Sequence, residues 1–228
     1  GEQVAEAAAP ADRAAFGGGG LPDRLLVVMG EEARGNRIGG AVLTLVLGLE
    51  NILAKSPMNV ATNLSTSMVI DDVAKKFGVT VVRTKIGEAN VIEGMMRHGC
   101  TVGGEGNGGI IYPRISTVRD GLASIALILE LLAHKKAPLT ALVASWPAYS
   151  MIKEKMTLDD KDPGALIKGL AEKLAGETID VQDGLKLIRP NGWVHVRASN
   201  TEPILRCYAE APSEEEARSL IRMISTKI

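Results

Sequence analysis

Residues 58–98 read MNVATNLSTSMVIDDVAKKFGVTVVRTKIGEANVIEGMMRH, and this stretch decides the fold class. It begins with the strand-like run Met58–Asn63, which is followed by the amphipathic segment Thr66–Phe77. The β-branched run Val79–Thr84 and the helical segment Asn90–His98 then repeat the same order. Alternating strands and helices are typical of a sheet covered by helices. The stretch therefore predicts an α/β domain.

The flanking segments extend this pattern in both directions. On the N-terminal side, Ile38–Leu53 is apolar around most of its circumference, so a well-buried helix is expected. On the C-terminal side, the glycine-rich segment Gly103–Gly109 leads into the strand-like run Ile110–Tyr112. Asp120–His134 then carries leucine and isoleucine at three- and four-residue spacing, which predicts the clearest helix of the chain.

The alternation ends near residues 138–147, which predicts a domain boundary at about residue 145. Beyond it, Asp162-Pro163 is typical of a helix start, and Ser213–Glu216 forms a capping box for a last helix. Asn191-Gly192 predicts a hairpin turn. Three strands in a meander are expected between the two helices: Leu185–Ile188, Trp193–Arg197 and Ile204–Ala209. These signals predict a separate, smaller α+β unit.

The composition argues against several classes of protein. The 228 residues include 26 Lys and Arg against 27 Asp and Glu, so the net charge is −1, whereas nucleic-acid binding needs a basic surplus. No apolar run approaches the roughly 20 residues that a bilayer span needs, and no signal peptide is visible. Only two cysteines occur, Cys100 and Cys207, which indicates a reducing compartment. We therefore expect a cytoplasmic protein that binds neither nucleic acid nor membranes.

The glycine-rich loop Gly103–Gly109 is the first segment that could carry chemistry. Glu105 and Asn107 lie two residues apart, so in an extended segment their side chains would point the same way and could bind vicinal hydroxyls. The glycines also fit G-x-G-x-x-G, but a dinucleotide-binding motif opens a helix, whereas Ile110–Tyr112 reads as a strand. From the residues alone, a tight glycine turn with incidental polar tips explains the loop equally well.

The second such segment, Arg197–Pro203, reads RASNTEP and lies between two predicted strands. It offers a guanidinium, two hydroxyls, an amide and successive backbone N–H groups, which is the donor set that a phosphate dianion requires. The candidate phosphate ligands are Arg197, Ser199, Asn200, Thr201 and, on the following strand, Arg206. Glu202 opposes anion binding unless it caps its neighbours, and a polar β-turn is the alternative explanation.

Two further segments carry weaker signals. Thr84–Glu88 follows a predicted strand, where ligands of α/β sheets bind, so Gly87 and Glu88 are candidates, although a solvated loop is the simpler explanation. Asp23-Arg24 ends a glycine-rich turn with a single carboxylate, too few oxygen ligands for a hard cation. The histidines, expected to be surface or strand-face residues rather than bases, are His98, His134 and His195.

In this order, the segments resemble the α-D-phosphohexomutases, the family of phosphoglucomutase, phosphomannomutase and phosphoglucosamine mutase. Gly104–Gly109 resembles the family's sugar-specificity loop, with Asn107 where other members carry serine. Arg197–Pro203 resembles its phosphate-binding loop, and Thr84–Glu88 is similar to a loop that also meets the sugar. The resemblance implies that Glu105, Asn107, Gly87 and Glu88 bind sugar and that the RASNTEP loop and Arg206 bind phosphate.

The resemblance runs from about Leu25 to the C-terminus and implies a domain organisation. Family members have three related α/β domains and a smaller fourth domain that resembles the TATA-binding-protein fold. Residues 37–145 would be the third domain and residues 146–228 the fourth. Residues 1–36 would be a remnant of the second domain and a flexible lead-in.

The resemblance also implies a reaction that this chain alone is not expected to complete. Family members transfer a phosphoryl group through a phosphoserine of the first domain, and no such motif occurs here. Their magnesium loop has three aspartates at alternate positions before an arginine. Here only Asp23 is retained, with Gly19 and Leu21 at the other two positions and Arg24 as a possible supporting residue. We therefore expect no magnesium binding by this chain, although Mg²⁺ is the family's cofactor.

Two functional interpretations remain open at this point. In the first, the chain is the C-terminal part of a phosphohexomutase, binds hexose phosphate and is inactive alone. A separate chain or a missing segment would then carry the first two domains. In the second, it is a non-catalytic phosphosugar-binding or interaction module derived from the family.

Overall fold

The computed structural model describes residues 40–158, 161–199 and 201–228, which form two sheets with separate hydrophobic cores. The predicted lead-in 1–36, with Asp23 and Arg24, lies outside the described residues, as does Asn200. None of the described helices is long and apolar enough to cross a lipid bilayer.

The first sheet has five strands in the order β2-β1-β3-β4-β5, and β1 pairs in parallel with both β2 and β3. β4 and β5 continue the sheet in the antiparallel sense. The strands are β1 Val60–Asn63, β2 Val81–Thr84, β3 Val102–Gly104, β4 Ile110–Tyr112 and β5 Ser116–Asp120. The helices are α1 Gly40–Lys55, α2 Val69–Lys76, α3 Glu88–His98, α4 Gly121–Lys135 and α5 Leu139–Ala144.

Helices cover both faces of this sheet because its strands alternate between two cores. Val60 of β1 packs in the larger core with α1, α2 and α4, whereas the next residue, Ala61, packs in a smaller core with Val91 and Met95 of α3. The helix predicted from Ile38–Leu53 is confirmed as α1, and its residues 42–53 are buried throughout. The larger core also takes in Trp146 and Tyr149, directly before the first strand of the second sheet.

The second sheet is entirely antiparallel and has the order β6-β10-β9-β8-β7. Its strands are β6 Ser150–Thr157, β7 Ile179–Asp180, β8 Leu185–Arg189, β9 Gly192–Ala198 and β10 Ile204–Ala211. The predicted meander β8-β9-β10 is present, but the expectation of three strands is wrong, because β6 and β7 extend the sheet at its two edges.

Two helices, α6 Pro163–Lys173 and α7 Glu214–Ser225, contribute Leu170, Ala217 and Ile221 to the core on one face of this sheet. Both predicted helix starts are confirmed. The Asp162 carboxylate accepts the Ala165 N–H at 2.6 Å, and Ser213 and Glu216 form a reciprocal capping box. The opposite face of the sheet carries the polar residues that meet the first sheet.

Candidate functional site

The glycine-rich loop connects β3 to β4 as a tight antiparallel hairpin, so the strand reading that argued against a dinucleotide motif is confirmed. Gly108 and Gly109 adopt φ values of 99° and 83°, a region that only glycine enters without strain. The Gly108 N–H donates to the Glu105 carbonyl at 3.1 Å and closes the turn. The prediction that Glu105 and Asn107 share one side is wrong, because the segment is a turn, with Glu105 buried and Asn107 exposed.

Glu105 is held at the junction of three loops. Its side chain is only 3% exposed, and its Oε1 accepts hydrogen bonds from Asn63 Nδ2 at 2.7 Å and from the Gly87 N–H at 2.8 Å. Among the described residues, Oε2 accepts no hydrogen bond. One oxygen therefore fixes the carboxylate, and the other is left for a ligand.

Arg119 connects the remaining two sugar candidates. Its Nε donates to Glu88 Oε2 at 2.7 Å, its backbone N–H donates to Glu88 Oε1 at 2.9 Å, and its Nη1 donates to Asn107 Oδ1 at 3.0 Å. The backbone N–H and then the guanidinium lower the pKa of Glu88. The structure thus links all four predicted sugar residues, since Gly87 and Glu105 are in direct contact.

The predicted phosphate residues lie at one end of β9 and β10, where Arg197 is the direct cross-strand neighbour of Arg206. Arg206 has partners nearby, because its Nη2 donates to Glu202 Oε2 at 2.8 Å and its Nε donates to Ser199 Oγ at 3.2 Å. Lys155 also pairs with Glu202, and this ion pair, followed by the charge of Arg206, lowers the pKa of the Glu202 carboxyl. Glu202 is thereby neutralised by two cations.

Arg197, by contrast, has no acidic partner within the described ranges. Its Nη1 donates only to the Ala198 carbonyl at 3.3 Å, and its Nε is buried without a hydrogen-bond partner. Thr201 is exposed, and its N–H lies 3.5 Å from Ser199 Oγ. Ser199 also lines a cleft of about 490 Å³ together with Lys161 and Glu202.

Three buried polar residues at the contact between the two sheets were missed by sequence reasoning. Lys186, His195 and Glu210 are each less than 5% exposed and contact residues 64–68, which connect β1 to α2. The predicted strand-face position of His195 is confirmed, but that face is buried in the interface. A signal was available, because His195 lies two residues before Arg197 and therefore on the same face of β9.

The electrostatics of this interface follow from its burial. Burial lowers the pKa of Lys186 to about 7, and the Arg83 guanidinium acts in the same direction. Burial also lowers the pKa of His195, so the neutral ring donates from Nε2 to the Asp183 carbonyl at 2.6 Å and accepts at Nδ1. Burial raises the pKa of Glu210, although the Ser67 hydroxyl and the N–H groups of Met68 and Trp193 oppose this shift.

For magnesium, the part of the chain that the structure describes offers no suitable ligand set. It contains no group of three or more His, Cys, Asp or Glu side chains that could surround a cation. Asp23, the one aspartate retained from the resembling loop, lies outside the described residues. We therefore assign no chemical step to a metal ion.

Comparison with known proteins identifies the class to which this two-domain chain belongs. Residues 23–149 match the model described as phosphoglucomutase/phosphomannomutase, alpha/beta/alpha domain III, and residues 152–227 match that of the C-terminal domain of the same proteins. The chain belongs to the phosphoglucomutase/phosphomannomutase family.

Several relatives support this assignment. The chain is 42% identical over 164 residues to a phosphoglucomutase/phosphomannomutase of Thermococcus kodakarensis, covering 71% of this chain and 36% of that protein. It is 37% identical over 204 residues to a probable phosphoglucosamine mutase of Methanopyrus kandleri, covering 88% and 44%. The chain thus spans about two fifths of the length of these relatives.

Solved structures share the fold at lower sequence identity. A family protein from Burkholderia thailandensis superimposes with a TM-score of 0.67 at 24% identity, over 80% of this chain and 40% of that one. The N-acetylphosphoglucosamine mutase of Aspergillus fumigatus, solved in complex with GlcNAc-6P and magnesium, gives 0.57 at 20% identity over 82% and 42%.

Proposed function

We propose that this chain is the C-terminal part of a phosphohexomutase and that it binds a hexose phosphate. Arg197, Ser199, Asn200, Thr201 and Arg206 bind the phosphate, and Glu105, Asn107, Gly87 and Glu88 bind the sugar. The observation that carries the proposal is the pair of directly opposed guanidinium groups, Arg197 and Arg206, of which Arg197 lacks an acidic partner among the described residues.

Two like charges directly opposite each other on a sheet destabilise it unless something neutralises them. Glu202 pairs with Arg206, but it also pairs with Lys155, so the local balance stays positive. A phosphate dianion between the two guanidiniums would accept from the unpartnered Arg197 Nε and would relieve the repulsion. The hydroxyl of Ser199 and the N–H groups of the loop would complete its hydrogen bonds.

The sugar end of the ligand would bind at the β3–β4 hairpin. Glu105 Oε2 is free to accept from a ring hydroxyl because Oε1 already holds the side chain in place. Asn107 and Glu88, linked through Arg119, supply further polar groups at the same hairpin. The names of the relatives favour a hexose or hexosamine phosphate as the substrate class.

Turnover would require a phosphoryl carrier beyond this chain. The family's phosphoserine would come from a segment or a separate chain that carries the first two domains, and magnesium is expected to be bound there rather than here. Binding at the two loops would position the sugar phosphate for transfer, which is the part of phosphoryl-transfer catalysis that positioning supplies. A cytoplasmic location would suit such a metabolic role.

Isothermal titration calorimetry with glucose 6-phosphate and with inorganic phosphate tests the proposal. Arg197→Ala should weaken both ligands by about 10- to 100-fold, because a charged hydrogen bond contributes ~1.5–3 kcal/mol. Glu105→Gln should weaken glucose 6-phosphate but leave inorganic phosphate unchanged. Arg222→Ala, which removes an exposed arginine of α7, is the matched control and should change neither. Unchanged affinities in Arg197→Ala would show that the phosphate binds elsewhere.

A further inference from the structure

Residues Leu64–Met68, which we call the connecting loop, lie between the second domain and the sugar hairpin. The loop joins β1 to α2, and Leu64, Thr66 and Ser67 are each at most 1% exposed. A loop that is this buried needs partners for its backbone polar groups. Those partners come from both domains.

On one side, the second domain holds the connecting loop at three points. Lys186 Nζ donates to the Leu64 carbonyl at 2.6 Å, the Ser65 hydroxyl lies 2.8 Å from His195 Nδ1, and Glu210 Oε2 accepts the Met68 N–H at 2.7 Å. These three side chains lie on neighbouring strands and on one face of the sheet. The loop therefore follows that face.

On the other side, the connecting loop holds the sugar hairpin. Thr66 Oγ1 accepts the Gly106 N–H at 2.9 Å and donates to Asn63 Oδ1 at 2.9 Å. Asn63 Nδ2 in turn donates to Glu105 Oε1 at 2.7 Å. Arg83 braces the loop from within, since its Nη1 donates to the Thr66 carbonyl at 2.7 Å.

We propose that the connecting loop couples the position of the second domain to the position of the Glu105 carboxylate. Ser65, Thr66 and Asn63 are the positioning residues of this coupling. His195 lies two residues before Arg197 on β9, so the strand that carries the phosphate ligand also sets the sugar ligand through Ser65. The inference rests on the proposed function for its ligands, but the hydrogen-bonded path itself does not depend on them.

The coupling would make binding at the two ends of a sugar phosphate interdependent. Displacement of β9 would move Ser65, then Thr66 and Asn63, and through them Gly106 and Glu105. Packed and fully hydrogen-bonded interiors pass on such displacements because they leave little free space. A ligand that spans both loops would therefore favour one arrangement of the two domains.

Amide hydrogen exchange in the ligand-free protein tests the path directly. The reporters are the N–H of Gly106, bonded to Thr66 Oγ1, and the N–H of Gly87, bonded to Glu105 Oε1. Ser65→Ala should accelerate exchange at both glycines by about fivefold or more, and Ser65→Thr, which keeps the hydroxyl, should restore protection. Gln182→Ala removes another interdomain hydrogen bond, 3.2 Å from Gln182 Nε2 to the Arg83 carbonyl, and should leave both glycines within about twofold.

His195→Leu cuts the same contact from the second domain and serves as the second variant. Unchanged exchange at both glycines in Ser65→Ala and His195→Leu overturns the proposal, and so does a uniform acceleration across the whole first domain, which would indicate general destabilisation. Calorimetry then adds the functional arm, in which Ser65→Ala should weaken glucose 6-phosphate about fivefold and inorganic phosphate less than about twofold. If the unmodified protein binds no glucose 6-phosphate, the proposed function fails while the exchange result still decides the coupling.

Discussion

Lys186 shows how a single buried cation is tolerated in this protein. Its Nζ lies 4.2 Å from the centroid of the Trp193 ring and donates to the Leu64 carbonyl, so the charged form has favourable contacts. Burial nevertheless dominates and lowers its pKa to about 7. Asp71, Glu210 and Asp180 act in the opposite direction without restoring the ordinary value of 10.5.

The lowered pKa of Lys186 predicts a pH-dependent stability. Between about pH 7 and 10.5 the unfolded chain binds a proton at this lysine that the folded protein has released, so the free energy of unfolding rises with pH. From pH 6.5 to 8.5 this rise should amount to about 2 kcal/mol, and Lys186→Met should abolish it. Urea unfolding at both pH values measures the effect. Lys153→Met, on an exposed lysine of β6, should retain the rise, and its loss in that control would contradict the assignment to Lys186.

The same scale shows which site residues the sequence could and could not predict. Local motifs point to Glu105, Asn107 and Arg197 because glycines and clustered donors are visible within a few residues. Asn63, which holds Glu105, lies 42 residues away along the chain, and its role depends on the pairing of β1 with β3. A hydrogen bond between strands that are distant in sequence has no local signature.

At the scale of elements, the helices were predicted better than the strands. The leucine periodicity of α4 correctly predicts a helix but not its buried face, since Leu122 and Leu129 are 76% and 60% exposed whereas Leu127, Ile128 and Leu131 are buried. A helix that is apolar on all sides gives no periodic contrast from which to choose. β6 was missed because Ser150–Thr157 mixes lysine and glutamate with methionine, a composition suited to an edge strand.

The capping box of α7 gives a prediction at this scale. Ser213 Oγ accepts the Glu216 N–H at 3.2 Å, and Glu216 Oε2 accepts the Ser213 N–H at 3.0 Å. Ser213→Ala should lower the free energy of unfolding by about 1 kcal/mol, because one donor of the first turn loses its partner. Ser219→Ala, the same substitution in the exposed interior of α7, should be neutral or slightly stabilising, since alanine favours a helix. Equal losses in both variants, measured by urea unfolding, would argue against a capping contribution.

At the scale of the whole molecule, the two sheets with separate cores are joined by a polar interface rather than by a shared core. Lys186, His195 and Glu210 contact the connecting loop, and Asp183 Oδ2 accepts the Ile86 N–H at 2.9 Å. The order of the two units and their α/β and α+β character were predictable from local patterns. Their mutual contact was not, because it consists of polar residues that sequence reasoning assigns to a solvated surface.

The two tryptophans allow a test of whether this interface makes the two domains unfold together. Trp146 packs in the core of the first sheet, where its Nε1 donates to Glu50 Oε2 at 3.2 Å, and Trp193 lies on the second sheet at the interface. Trp146→Phe and Trp193→Phe each leave one fluorescent reporter. Buried hydrogen bonds across the interface should link the two units, because an unpaired buried group costs about 1–3 kcal/mol. The urea midpoints of the two reporters should therefore coincide.

Removing interdomain hydrogen bonds should separate those midpoints. The double variant Ser65→Ala/Asp183→Ala deletes two such bonds without touching either tryptophan, so the less stable domain should unfold first. Ser213→Ala, which weakens only a helix cap, should lower both midpoints together and is the matched control. Midpoints that already differ by more than about 0.5 M urea in the protein with its interface intact would mean that the two domains unfold independently, and the polar interface would then contribute orientation but no cooperativity.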